Sequence, residues 1–220
     1  MTREPMIPSV EAFVAQARAL FEQKLSDRER WEKMRVLFEA VLLDPELNGH
    51  SNTWPSGTPE QAGLFAARNL LFYEDPDYGF AINALVKDPD NTFASIHDHG
   101  KSWTLYGILD GRETVRRYDR LDGESETPVV ANLKETSAIE VAAGDVDFVP
   151  PWQVHGEFKI TERVVGLIVR SQRSGTFPQN RYFPETGKVE QYMGLIQVPY
   201  HLGYPVGGAQ VAGAEAAAAS

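Results

Sequence analysis

The stretch FASIHDHGKSWTLYGILDG, residues 93 to 111, decides the reading of this chain. His97 and His99 flank Asp98 inside an apolar, aromatic-rich run. In an extended strand, residues i and i+2 project to the same face, so the two imidazoles point together and Asp98 points away. That spacing predicts half of a metal site, with Asp98 left for a structural hydrogen bond. Two imidazoles under-coordinate a metal, so a third ligand is expected from another strand. GDVDFVPPWQVHGEFK, residues 144 to 159, offers it. Gly144-Asp145 turns into a strand, Pro150-Pro151 breaks the ladder, and His155 opens the next strand. Neutral imidazole is readily available near pH 7. Three of them form a ligand set open on one side, which suits Fe, Zn, Cu, Ni or Mn. His50 and His201 lie in polar or irregular surroundings and are expected to be structural.

Working outward, the run continues a series of short β-branched and aromatic segments between turn signals. These include LFAARNLLFYE, YGFAINALVK, ETVRRYDRL, DVDFVP, HGEFKI and RVVGLIVRSQ. Asp75-Pro76-Asp77, Asp88-Pro89-Asp90-Asn91, Asp110-Gly111 and Asp122-Gly123 punctuate them. Many short strands at this spacing predict an antiparallel sandwich or barrel. No glycine-rich fingerprint opens a helix, which argues against a nucleotide-binding parallel sheet.

Ahead of the strands, Val10, Phe13, Val14, Ala17, Leu20 and Phe21 recur at helical spacing. Ser26 and Glu29 form a capping box for a second helix, whose inner face is Trp31, Met34, Phe38, Val41 and Leu42. Pro45 and Asn48-Gly49 are expected to end it, with a loop from 48 to 61. The expected organisation is a helical segment over 1–47, a β unit with an irregular extension over 48–205, and a disordered low-complexity tail over 206–220.

Composition limits the function. The chain has 220 residues, room for one sizeable domain, and a formal charge of −10. That charge leaves no basic footprint for nucleic acid or an anionic membrane. There is no cysteine, which excludes disulfides, thiolate-bound metal and a cysteine nucleophile. No run of about 18 apolar residues predicts a membrane span, and MTREPMIPSV lacks a signal-peptide layout. A cytoplasmic monomer or homodimer binding a small molecule is expected.

The two histidine segments resemble the two motifs of the cupin superfamily, which implies a double-stranded β-helix (jelly-roll) barrel carrying the N-terminal helix pair. His97, His99 and Gly111 match the first motif, and Gly144, Pro150 and His155 match the second. Trp103 and Thr104 stand where the first motif places an acidic ligand. Within cupins the chain resembles the cysteine dioxygenase and 3-mercaptopropionate dioxygenase family, through Ser95-Ile96-His97-Asp98-His99 and Arg68-Asn69-Leu70, over roughly residues 64 to 172. Trp103 is similar to a tryptophan of the bacterial branch.

That resemblance implies Fe(II) held by three histidines and a reaction in which both atoms of O2 pass to a small thiol carboxylic acid. It implies Arg68 as the substrate's carboxylate clamp, whose planar fork suits a bidentate contact. Thr104 replaces a crosslinking cysteine, and RVVGLIVRSQ lacks the family's Ser-His-Tyr triad. Arg170 stands near the missing tyrosine and is expected to be a second anion contact. Tyr106 and Tyr118 are possible replacements for the lost hydroxyl, and Trp103, Tyr106, Phe148 and Trp152 for a dry wall. The alternatives are an oxygenase acting on a non-thiol acid, a non-redox isomerase or hydrolase using Zn, Ni or Mn, and a ligand-binding sensor.

Overall fold

The computed structural model describes residues 6–55, 68–87, 95–123 and 128–202. Three helices come first: α1 (Pro8–Phe21), α2 (Asp27–Leu42) and α3 (Pro45–Ser51). Ser26 and Glu29 cap α2 reciprocally. Residues 45–51 are helical, where a terminator and loop are expected from sequence. Asp44 accepts from the Glu46 amide at 2.9 Å and Pro45 occupies the first turn, so the same residues that stop α2 start α3.

Twelve strands follow: β1 (Arg68–Glu74), β2 (Ala81–Lys87), β3 (Ile96–His97), β4 (Thr104–Asp110), β5 (Arg112–Arg120), β6 (Leu133–Ala142), β7 (Val146–Val149), β8 (Val154–Lys159), β9 (Val164–Arg170), β10 (Gln179–Phe183), β11 (Lys188–Tyr192) and β12 (Val198–Pro199). They pair as two six-stranded sheets, in the orders β12-β1-β2-β9-β4-β7 and β11-β10-β3-β8-β5-β6. All pairings are antiparallel except β1 with β12. The chain crosses between the sheets repeatedly, so β2-β9-β4-β7 and β3-β8-β5-β6 form the eight-strand core of a double-sheet jelly roll. Among the described residues no pairing joins the two sheets into a closed cylinder. The arrangement is a two-sheet sandwich rather than the closed barrel expected from sequence.

Two further departures concern the strands. β6 is an edge strand exposed along most of both faces, so its sequence LKETSAIEVA carries little apolar alternation to reveal it. Residues 179–192, expected to be irregular, form the β10–β11 hairpin, which extends the second sheet through β3. Residues 206–220 lie outside the described residues.

The helices cover the outer face of the first sheet. Phe13, Phe38, Trp31 and Leu42 pack with Ile82, Val86, Leu105, Leu167 and Val169 in one buried cluster. Burying each such large side chain stabilises the fold by ~1.5–3 kcal/mol. A Cβ at position 107 would lie 2.6 Å from Leu42 Cδ1, so Gly107 is what lets α2 close on β4. No described helix is long and apolar enough to cross a membrane. With its helix-facing residues assigned, the first sheet presents the alternate set inward: Leu85 and Lys87, Thr104 and Tyr106, and Ile168 and Arg170.

Candidate metal centre

β3 and β8 run side by side, with His97 opposite His155. β3 ends at His97; His99 lies beyond it, in the turn that leads to β4. The three imidazoles nevertheless converge, with ring centroids 4.6–4.9 Å apart. A fourth group joins them. Glu157 is two residues after His155 on β8 and so shares its face. One ligand atom from each of His97, His99, His155 and Glu157 can be chosen so that all lie within 4.8 Å of one another. His97 Nε2 is 3.1 Å from His99 Nε2, and His155 Nε2 is 3.1 Å from Glu157 Oε1.

These spacings fit a bound metal. Round an ion held at ~2.1 Å, ligands at right angles are ~3 Å apart and opposite ligands ~4.2 Å apart, so the 3.1 Å pairs match and the widest spacing, up to 4.8 Å, closes by about half an ångström on an ion. Backbone contacts also orient the donors. His97 Nδ1 sits 3.0 Å from the Ser95 carbonyl and His155 Nδ1 3.0 Å from the Gln153 carbonyl. With the Nδ1 proton donated there, each Nε2 keeps its lone pair for a metal. Three neutral imidazoles and one carboxylate leave a divalent ion with a net +1. Glu157 thus adds to the three expected histidines an acidic neighbour that the sequence reading did not include. Thr104 faces inward from the first sheet, whereas the carboxylate of the cluster, Glu157, comes from the second.

Burial shapes the charges. It pushes His97 down to about 4, against the pull of Glu157. Burial also holds His99 well below the ordinary value, and Arg170 adds to that. Both are thus neutral and ready to ligate near pH 7. Burial opposes charge on His155 as well, but the charge and hydrogen bond of Glu157 outweigh it and raise the imidazole's pKa. Burial likewise opposes charge on Glu157, yet His155, His97 and Lys87 hold its carboxyl well below the usual range.

Asp98 faces away from the cluster. It accepts hydrogen bonds from the Gly100 amide at 2.8 Å, the Asn180 amide at 3.1 Å, Asn180 Nδ2 at 2.9 Å and Tyr182 Oη at 2.7 Å. The three donors of Asn180 and Tyr182 tie the His97–His99 segment to β10.

The cluster opens on a cavity of about 80 Å³. Leu85, Ile168 and the Tyr106 ring give it apolar wall; Asn69, Lys87, Gln179 and Tyr192 give it polar wall. Tyr106 donates to Glu113 at 2.7 Å, and Lys87 pairs with the other oxygen of Glu113. Burial, then the Glu113 charge, keeps the Tyr106 phenol well above its ordinary pKa. Arg170 also lines this cavity, 9% exposed, from the inner face of β9. Thr104 lies opposite it on β4, fully buried.

Several residues expected at the site lie elsewhere. Trp103 and Phe148 stack at 5.6 Å on the helix side of the first sheet. Alternation explains this: Phe148 pairs with Leu105, whose side chain faces the helices. Tyr118 lies with Val154 and Tyr182 on the outer face of the second sheet. It borders a separate cavity of about 680 Å³ that also takes Trp152. Arg68 begins β1 opposite Val86, and its side chain lies outside the described residues, while its neighbour Asn69 reaches the cavity. His50, within α3, accepts from Trp54 Nε1 at 2.8 Å, and His201 is exposed.

Glu157, Lys87, Glu113, Gln179 and Tyr192 were not read from the sequence. For Glu157 the signal was present: the i, i+2 rule that pairs His97 with His99 pairs His155 with Glu157 equally. Gln179 and Tyr192 come from the hairpin expected to be irregular, so nothing local marked them.

No protein-family model and no curated protein matches the chain. Similar solved structures include the cupin domain of Schizosaccharomyces pombe Cnp3, at 10% identity over 56% of this chain and 66% of that one, TM-score 0.38. A cupin superfamily protein from Desulfitobacterium hafniense DCB-2 is 17% identical over 47% and 74%, TM-score 0.33. An oxalate oxidase is 16% identical over 43% and 42%, TM-score 0.33.

Proposed function

We propose that this chain is a metal-dependent oxygenase in which His97, His99, His155 and Glu157 hold a divalent first-row metal, Fe(II) in first place, and a small carboxylic acid is oxidised by O2. The observation that carries the reading is the convergence of four ligand atoms within 4.8 Å beside a cavity that also receives a buried arginine. An imidazole and carboxylate set of this kind suits Fe, and equally Zn, Mn, Ni or Cu. When bound, Fe(II) would supply open coordination positions and the electrons that O2 requires.

The chain's own residues do the rest. Ser95 and Gln153 carbonyls fix the tautomers of His97 and His155, and Asp98 anchors the His97–His99 segment to β10. Leu85 and Ile168 keep one wall apolar, which excludes water from the reacting groups. Tyr106 stays protonated and committed to Glu113, so it acts as wall rather than as a proton source.

The sequence resemblance favours a thiol acid. A second reading, a non-thiol acid, is favoured by Glu157: a carboxylate in the ligand set weakens the pull on a thiolate. An oxygen electrode separates the readings. Iron-loaded protein is expected to consume O2 with cysteine, 3-mercaptopropionate or cysteamine on the first, and only with non-thiol hydroxy or keto acids on the second. No uptake with any of them would leave a non-redox metal enzyme or a sensor.

A further inference from the structure

We infer that the cavity takes a short monocarboxylate whose anionic end is held by Arg170 and Gln179, making these two side chains the determinants of which acids enter. The word substrate for that ligand rests on the oxygenase reading; the anion site itself does not.

The first observation is an unanswered set of donors. Arg170 Nε and Nη1 are buried and have no hydrogen-bond partner among the described residues, and the same is true of Gln179 Nε2. Both residues line the cavity, and they are 9% and 3% exposed. A buried guanidinium with two idle N–H groups is costly, as is a buried idle amide. Native proteins retain such groups where a ligand, an ion or an ordered water completes them, and a cavity beside them gives that partner room.

The donors are also aimed. Tyr192 Oη donates to Gln179 Oε1 at 3.4 Å, which leaves Nε2 as the free end of that amide. A Cβ at position 194 would fall 2.7 Å from Gln179 Nε2, so the side chain sits where it does because residue 194 is glycine. Arg170 is placed by register, since Ala81 and Thr104 flank it on the inner face of the first sheet.

Charge and size narrow the ligand. Of the two cations that line the cavity, Lys87 is paired with Glu113, which leaves Arg170 for a ligand. One available positive group calls for one negative group; a second would face Glu157 or Glu113. A guanidinium fork beside an amide N–H matches the two oxygens of a carboxylate. About 80 Å³ is under three times the ~30 Å³ that one water takes in the liquid, which limits the ligand to a short acid.

Anaerobic calorimetry on the metal-loaded protein tests this with acetate, propionate and butyrate as probes and propionamide as the neutral control. Wild type is expected to bind at least one of the acids with Kd below about 10 mM, and propionamide at least ten-fold more weakly. Arg170→Met is expected to weaken acid binding at least about thirty-fold and Gln179→Leu at least about three-fold, with metal content unchanged. Because Arg170→Met removes an uncompensated buried charge, its ligand-free Tm is expected to hold or rise; a structural arginine would lower it. Equal binding of acid and amide, acid binding that survives Arg170→Met, no binding in wild type, or a variant that loses its fold would overturn the assignment.

Oxygen uptake is scored separately. Arg170-dependent acid binding in a protein that consumes no O2 would sink the oxygenase reading and keep the anion site. Uptake undiminished in Arg170→Met would do the reverse.

Discussion

His155 and Glu157 stand side by side on β8, the imidazole Nε2 3.1 Å from the carboxylate Oε1. This adjacency makes the centre a four-residue one. It also holds the two groups in contact in the metal-free protein, and that contact must open for both to bind a metal.

Asp98 is the best test of how the histidine segment is held. It is 1% exposed and accepts four hydrogen bonds. Asp98→Ala leaves those donors unanswered, at ~1–3 kcal/mol for each one that finds no water. Urea denaturation of the metal-free protein is expected to show a loss of at least about 3 kcal/mol. A loss within about 0.5 kcal/mol would mean the segment is held by other contacts.

The metal-free protein is expected to lose stability as the pH falls from about 6.5 towards 4. His97 is lowered to about 4, and His99 well below the ordinary value, chiefly by burial. In that window the unfolded chain binds more protons, so unfolding free energy rises with pH. For His97 alone the full effect is on the order of 3 kcal/mol. His155 is raised, so its contribution runs the other way, present at low pH and lost as the pH rises through its folded value. Chemical denaturation across this range, in wild type and in His97→Phe, checks the sign; a flatter profile in the variant is the expected result.

Lys87 and Glu113 form an ion pair in the sandwich interior, 7% and 0% exposed as whole residues. Removing one partner strands the other. Glu113→Leu is expected to cost about 3–5 kcal/mol, whereas Lys87→Met with Glu113→Leu is expected to cost far less. A double-mutant cycle in urea measures the coupling, and additive losses would show that the two charges do not depend on each other.

The layout was legible where side-chain period and turn chemistry were strong. α1 and α2 announce themselves by apolar spacing and the Ser26–Glu29 box, and most strands by β-branched runs between Asp-Pro and Asp-Gly turns. β6 was hidden because an edge strand exposed on both faces has no buried side to mark it. α3 was hidden because Pro45 both ends and begins a helix. At the site, the histidines stand out by rarity and spacing. The face on which Arg170 lies depends on strand parity, which the register gives as inward. Trp103, Phe148, Tyr118 and Trp152 show the limit: aromatic character says a side chain is buried, and only packing says on which side of a sheet.

The most direct test of the account is titration of chelator-stripped protein with Fe(II) under anaerobic conditions, followed by calorimetry. One equivalent per chain is expected in wild type, with affinity at least about ten-fold weaker in Glu157→Gln and at least about hundred-fold weaker in His155→Ala. Unchanged stoichiometry and affinity in both variants would contradict the four-residue centre.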